Sequence, residues 1–383
     1  MYKEGLVEIK YQENAFLNSK SRLTRDIGVA FIDSVFSKEE KKELIVLDPT
    51  AATGIRGIRY VVESEIKNIT FLEINKSAYN TLKKNLRYEK INVKNKINAT
   101  VLNKSIQEFA NTTKERYNII DLDPFGSISP NLYDILKITK DNSYLFMTAT
   151  DTAVLCGAEE KACLKIYGAK PMHNELCHEV GLRILIGYVA KIAAQFNINI
   201  KVIFAFSYAH YFRVLVKLSH GAEKVNESIM NDLGYVYYCN KCGYRNISKG
   251  FLPNQNTCKC NAPLLISGRL WINILNNKDI LQLIYNRLTK IKDINKKDLK
   301  FVEILINEPE IPLYYSLPKL TKRLKTPSIK MANILDNLKS KGFIAERTHF
   351  DLNAIKTNAP IDDIKNLIYF INRTSTIIKK GKI

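Results

Sequence analysis

The sequence contains no run of 18 or more apolar residues, the length a membrane-spanning helix needs. Its first residues, Met1-Tyr2-Lys3-Glu4-Gly5, lack the apolar stretch of a secretory leader. Cysteine is scarce and odd in number, seven in 383 residues, which argues against a disulfide scaffold and for a cytoplasmic protein. There is no internal repeat and no long low-complexity tract. Acidic residues are the minority charge: 38 Asp+Glu stand against 58 Lys+Arg, a formal net charge of +20. The excess is uneven. Residues 216–383 hold 28 basic and 14 acidic side chains, or +14, which leaves +6 for 1–215. That bias suits a polyanionic partner, most simply nucleic acid, although a generally basic proteome leaves the same mark.

What is present is a globular composition, 46% hydrophobic and 25% charged, with length for two or three domains. Strand-like and helix-like segments alternate. Leu6–Lys10 alternates as a strand, and Phe16 follows in a polar loop, where an aromatic either caps the core or meets a ligand; from its neighbours alone the core cap is preferred. Ile27, Ala30, Phe31 and Val35 have helical spacing, and Arg25 just before them could reach a carboxylate. The apolar strand Leu44–Asp48 runs into the small-residue loop Pro49-Thr50-Ala51-Ala52-Thr53-Gly54 and then a helix over 55–62. With one loop glycine, this is not the G-x-G-x-x-G dinucleotide fingerprint. Nineteen residues beyond Gly54, the strand Ile69–Glu73 ends in an acid placed to accept both hydroxyls of a ribose. The pair fits the methyltransferase variant of the nucleotide-binding fold, with S-adenosylmethionine in the crevice; an ordinary βαβ unit with acids at strand ends is the plainer alternative. A third strand, 99–102, leads to Asn103-Lys104-Ser105, where Asn103 is the candidate for the adenine amino group.

The fourth strand, Asn118–Leu122, ends in Asp123-Pro124-Phe125-Gly126. Pro124 has no N–H and stops the ladder. A carboxylate, a rigid carbonyl and an aromatic face then sit together at the sheet edge where α/β folds bind ligands. Methylating an exocyclic amino group on a base needs such a set. The nitrogen lone pair is delocalised into the ring, two acceptors on its N–H groups (Asp123 and the Pro124 carbonyl) draw it out, and Phe125 stacks on the base. A type I turn is the competing reading. A fifth strand spans 143–151, and a helix over 174–194 carries Glu175, His178, Glu179 and Arg183 as a salt-bridged face. Segments 200–208 and 212–218 are close enough for an antiparallel pair.

From residue 219 the character changes. Cys239-x-x-Cys242 and Cys258-x-Cys260 put four of the seven cysteines within 22 residues, a pattern for a structural Cys₄ zinc site, with free thiols or a disulfide as alternatives. The C-x-C pair departs from the usual C-x-x-C. Cys156, Cys163 and Cys177 read as small buried hydrophobes. Two helices are expected over 278–307. A helix, a turn, a helix capped from Thr326-Pro327-Ser328 and stopped by Gly342, and then a hairpin make a winged-helix-like plan. Lys319, Lys322, Arg323, Lys325 and Lys330 make its turn basic, with Tyr314 and Tyr315 alongside. This suits a phosphate-tracking surface, or else a solvated face.

Four of these motifs together resemble the archaeal and eukaryotic tRNA (guanine-N2-)-dimethyltransferase family: Gly-Ile-Arg-Gly-Ile-Arg at 54–59, Asp-x-Asp-Pro-Phe-Gly-Ser at 121–127, Thr-Ala-Thr-Asp-Thr-Ala-x-Leu-Cys-Gly at 148–157 and Arg-Thr-His-Phe at 347–350. The resemblance runs from about residue 14 to about 365. It implies methylation of the 2-amino group of guanosine at tRNA position 26. Phe16 becomes the second half of an aromatic sandwich with Phe125, and Asp123 the catalytic acid beside Pro124. Arg25, Arg56, Glu73, Lys104 and Ser105 become the S-adenosylmethionine contacts, although the family often has Asp-Ala at 104–105. The expected architecture is α/β: a Rossmann-like class I methyltransferase domain over 1–218 and a basic, zinc-containing α/β domain with a winged-helix-like part over 219–383, its zinc on Cys239, Cys242, Cys258 and Cys260. The expected partner is tRNA, with no membrane, and the chain acts as a monomer. The rival readings are an N-methyltransferase for another base and a non-catalytic nucleic-acid-binding protein.

Overall fold

The computed structural model describes residues 1–10, 17–89, 97–291 and 293–380, so Phe16 lies outside the described residues. A hairpin of β1 (Tyr2–Glu4) and β2 (Val7–Ile9) opens the chain. The main sheet has seven strands: β3 (Ile45–Asp48), β4 (Asn68–Leu72), β5 (Asn98–Leu102), β6 (Tyr117–Leu122), β7 (Thr139–Ala149), β8 (Ile198–Tyr208) and β9 (Tyr211–His220). Their order is β5-β4-β3-β6-β7-β9-β8. The first five run parallel, and β9 is antiparallel to both β7 and β8. Parallel neighbours need crossover helices. Ile55–Ser64, Lys76–Tyr88, Ile106–Thr112 and Ser129–Lys137 lie between successive parallel strands. Strand order reverses between β3 and β6, and the crevice outside their C-terminal ends is the natural ligand position of such a sheet.

Each face of the sheet has its own apolar core. One face holds Ile27 and Phe31 of the helix Arg22–Val35, Ile58 of Ile55–Ser64, and residues of Lys278–Leu288 and Lys296–Asn307. The other holds Leu132, Leu182 and Leu185, and it continues into Val236 of β10 (Leu233–Tyr238) and Leu270 and Trp271 of β12 (Leu265–Trp271), which flank β10 together with β11 (Arg245–Lys249). The apolar core therefore runs past residue 218 on both faces. A separate small core forms from Leu320, Ile334, Leu338, Ile355, Ile364 and Leu367. It joins the helices Leu317–Leu324, Met331–Ser340 and Ile361–Lys380 to a three-stranded sheet of β13 (Tyr315–Ser316), β14 (Ala345–Arg347) and β15 (Ala354–Thr357).

Local expectations fail where charges are buried. The first long helix begins at Arg22, earlier than the apolar spacing predicts, because Arg25 and Asp26 are buried with ionic partners inside it. Glu175 does not belong to the next long helix, which spans Cys177–Ala194. It precedes that helix, accepts from the Tyr238 hydroxyl and pairs with Arg323 at 3.1 Å. Glu179 and Arg183 do form the expected pair, at 2.8 Å. The helix Met331–Ser340 starts without a side-chain cap, so Thr326-Pro327-Ser328 does not play that part. Tyr314 and Tyr315 are buried rather than displayed beside the basic turn. Tyr314 stacks on Phe350, and Tyr315 lies under Arg245. Arg323 is likewise occupied, by Glu175 and Tyr238, which leaves Lys319, Lys322, Lys325 and Lys330 exposed.

Candidate active site

A cleft of about 530 Å³ opens over the C-terminal ends of β3, β4, β5 and β6. One wall is the loop 49–54. Gly54 sits at φ +82°, and a Cβ there would come within 2.2 Å of Leu82, so the turn that opens the helix Ile55–Ser64 has no room for a side chain. Glu73 faces this loop. Its two carboxylate oxygens accept from the Ala52 N–H at 2.8 Å and the Asn75 N–H at 2.7 Å, which fixes the carboxylate plane and leaves outer lone pairs for further donors. Asn103 is held by its amide nitrogen. Its amide donates to the backbone carbonyls of Glu73 at 2.7 Å and Ile74 at 2.9 Å, and so shapes the loop after β4. Lys104 and Ser105 line the cleft. Lys104 also pairs with Glu108 at 3.3 Å, and Ser105 caps the helix Ile106–Thr112 through the Glu108 N–H.

The floor of the cleft is a buried charge cluster. Arg213 holds Asp121 with two 2.8 Å bonds and reaches Thr148 at 2.9 Å. Arg56 reaches Asp121 at 3.1 Å through Nη1, and through Nη2 it holds the Asp123 carboxylate and bonds Thr24. The Tyr60 hydroxyl donates to Asp121 at 2.5 Å. Burial by itself would raise the Asp121 pKa, but the two guanidiniums outweigh it and bring the carboxyl to about 2. Asp48, at the end of β3, moves the other way. Burial drives it up to about 7, with Arg56 opposing and the charges of Asp121 and Asp123 adding to the rise. Arg25 lies at the cleft rim, gripped by Glu4 at 2.7 and 2.6 Å, so the β1–β2 hairpin sets its position. Arg25 thus does reach a carboxylate, one that the opening hairpin supplies.

The turn after β6 is held from behind. Gly126, at φ +74°, donates to Thr150 Oγ1 at 2.8 Å, and the Thr150 N–H returns a 2.9 Å bond to the Gly126 carbonyl. Ser127 contacts the Tyr167 hydroxyl at 2.7 Å, which donates to Asp151 at 2.7 Å. Asp123 N–H donates to Thr50 at 3.2 Å. The turn therefore presents Phe125, 74% exposed, beside Asp123 at the cleft mouth. Asp121, Arg213, Tyr60, Asp48 and Thr150 were not among the residues singled out from sequence. Their signal was an acid inside the apolar run 117–122 and an arginine inside the apolar run 211–218, which only a shared burial can reconcile.

Outside the lining of the cleft, the sulfurs of Cys239, Cys242, Cys258 and Cys260 lie within 4.8 Å of one another. The pairs Cys239–Cys260 and Cys242–Cys258 are 3.5 and 3.6 Å apart, close to the roughly 3.8 Å edge of a tetrahedron with about 2.3 Å metal–sulfur bonds. The short C-x-C spacing is accommodated by a tight turn, in which the Asn261 N–H donates to the Cys258 carbonyl and the Cys258 N–H to the Ala262 carbonyl, both at 2.9 Å. Of the other cysteines only Cys163 is buried as expected; Cys156 and Cys177 are partly exposed.

The family of N2,N2-dimethylguanosine tRNA methyltransferases matches residues 2–369. The tRNA (guanine(26)-N(2))-dimethyltransferase of Pyrococcus abyssi is 37% identical over 372 residues, 94% of this chain and 93% of the relative. That of Pyrococcus furiosus is 38% identical over 364 residues, 92% of each chain. That of Methanosphaera stadtmanae is 31% identical across 95% of each. A solved complex of Trm1 from Pyrococcus horikoshii with S-adenosyl-L-methionine superposes with a TM-score of 0.86 at 33% identity, covering 96% of this chain and 99% of that one. With one α/β sheet ending in this cleft, and with matches over nearly its whole length, the chain belongs to the N2,N2-dimethylguanosine tRNA methyltransferase family.

Proposed function

We propose that this chain methylates the exocyclic 2-amino group of guanosine 26 in tRNA with S-adenosylmethionine as donor, giving N2-methylguanosine and then N2,N2-dimethylguanosine. The observation that carries the reading is the Asp123-Pro124-Phe125 turn, an exposed aromatic beside a carboxylate at the mouth of the cleft that Glu73 also lines. The donor supplies a methyl group on a sulfonium sulfur. Glu73, with both oxygens oriented by backbone N–H groups, fits a ribose diol. Arg25, Arg56, Lys104 and Ser105 line the same cleft as the remaining candidates to hold the donor.

At the base, Asp123 and the Pro124 carbonyl accept the two amino protons and bring the lone pair out of the ring plane. Nitrogen–carbon bond formation then accompanies sulfur–carbon cleavage, and the displaced proton leaves toward Asp123. Holding the amine in line contributes most of the acceleration. Phe125 stacks on one face of the flipped base and Phe16 on the other. Each stacked face offsets about 1–3 kcal/mol of the flipping cost.

Residues 219–383 act as the tRNA-docking unit, braced by a structural zinc ion on Cys239, Cys242, Cys258 and Cys260. Four thiolates leave no open position for chemistry there. The chain works as a monomer in the cytoplasm. The test is transfer of labelled methyl to a tRNA transcript with guanosine at position 26, beside the same transcript with adenosine there. Label on the first alone, recovered as N2-methylated guanosine, is expected. Equal label on both would discard the position, and no label on either would discard the enzyme.

A further inference from the structure

Outside the cleft and the four-cysteine group, one other set of soft donor atoms converges among the described residues. The sulfurs of Cys156 and Cys177 and a ring nitrogen of His178 lie within 4.8 Å of one another, and all three residues are partly exposed. They come from two segments that are pressed together. A Cβ on Gly181, one turn into the helix Cys177–Ala194, would sit 2.8 Å from the Leu155 carbonyl oxygen. A Cβ on Gly157, at φ +86°, would sit 3.0 Å from the His173 nitrogen. These two close approaches fix Cys156 between the start of the helix and the segment that carries His173.

His173 lies beside this set, its Nδ1 3.3 Å from the Cys156 carbonyl oxygen. Two thiols and an imidazole are a donor set that selects zinc and related thiophilic cations over magnesium or calcium.

We propose that Cys156, Cys177 and His178 form a second thiolate–imidazole site for a zinc-like divalent cation. Such an ion would tie the segment 148–157 to the helix Cys177–Ala194. Thr150 of that segment makes both hydrogen bonds to Gly126 behind Phe125, so the site braces the base-binding turn at one remove.

The test counts metal in the full chain, equilibrated with excess zinc and then desalted. Native mass spectrometry should show one more zinc per wild-type chain than per Cys156→Ser/Cys177→Ser chain, whatever the four-cysteine group holds. The same count in both overturns the proposal. A second measurement needs no variant. Iodoacetamide labelling of Cys156 and Cys177 in the folded wild-type protein should be at least tenfold faster after chelation than before. Equal rates, or a disulfide joining these two cysteines before chelation, overturn it as well.

Discussion

Arg56 joins two carboxylates that differ in exposure: its Nη1 lies 3.1 Å from the fully buried Asp121, and its Nη2 holds Asp123 at the cleft. Asp121 is itself pinned by Arg213 and Tyr60, so the orientation of Asp123 is relayed from the middle of the sheet. Removing Arg56 frees the carboxylate that would orient the amine. Arg56→Lys cannot restore the two-pronged contact, because an ammonium is a single point of charge. Both Arg56→Ala and Arg56→Lys should lower kcat about 100-fold, beyond any change in the S-adenosylmethionine Kd. Steady-state kinetics beside calorimetric titration separates the outcomes. A weakened Kd with unchanged kcat would make Arg56 a cofactor contact and nothing more.

Phe125 is exposed at the cleft mouth, so Phe125→Ala should fold normally. Losing one stacked face should raise the KM for tRNA about 5- to 150-fold, equivalent to about 1–3 kcal/mol, and leave cofactor affinity unchanged. Phe125→Tyr should restore most of the loss. A KM indifferent to the ring would remove stacking from the mechanism.

Asp48 makes stability depend on pH. Its carboxyl is raised to about 7 in the folded chain by burial, well above the range of an exposed carboxylate. Between the unfolded and folded values the native state binds the extra proton, so this group favours folding at low pH. That contribution is lost as pH rises through about 7. Asp48→Asn keeps an acceptor for the Gly57 N–H, 3.2 Å away in the wild type, and cannot ionise. The variant should gain on wild type between pH 5 and pH 8, by on the order of 3 kcal/mol. Denaturant melts of both proteins at the two pH values provide the comparison. Parallel trends would mean that Asp48 ionises normally.

The exposed lysines beside the small C-terminal core provide an electrostatic test. Lys319, Lys322 and Lys325 lie on or just after the helix Leu317–Leu324, whose one arginine, Arg323, is already paired. Replacing the three lysines by alanine should weaken tRNA binding. The slope of log K against log salt should flatten by about 0.7–0.9 for each phosphate no longer neutralised. An unchanged slope would place the tRNA elsewhere.

The Asp-Pro-Phe-Gly turn, the small-residue loop and Glu73 were legible because strand termination, close backbone approach and acid placement are local properties. The cysteine spacing was legible for the same reason, and its C-x-C pair closes through a turn made within five residues. The tyrosines beside the basic turn were misjudged. Tyr314 and Tyr315 look available in a polar stretch, but Phe350 and Arg245, distant in sequence, cover them. The bonds of the Asn103 amide nitrogen were likewise not legible, because the carbonyls of Glu73 and Ile74 that take it belong to a different strand's end.

By itself the sequence determined the alternation of strands and helices, the sheet edge that carries the cleft, and the residue types gathered there. Apolar periodicity and turn chemistry act within a few residues and need no partner. Only the tertiary structure decided which charges meet. Arg213 finds Asp121 across 92 residues, Arg25 is held by a carboxylate from the opening hairpin, and Arg56 spans the distance from the buried acid to the partly exposed one. A buried charge is stable only beside its counter-charge, and which strands lie side by side is a property of the whole sheet.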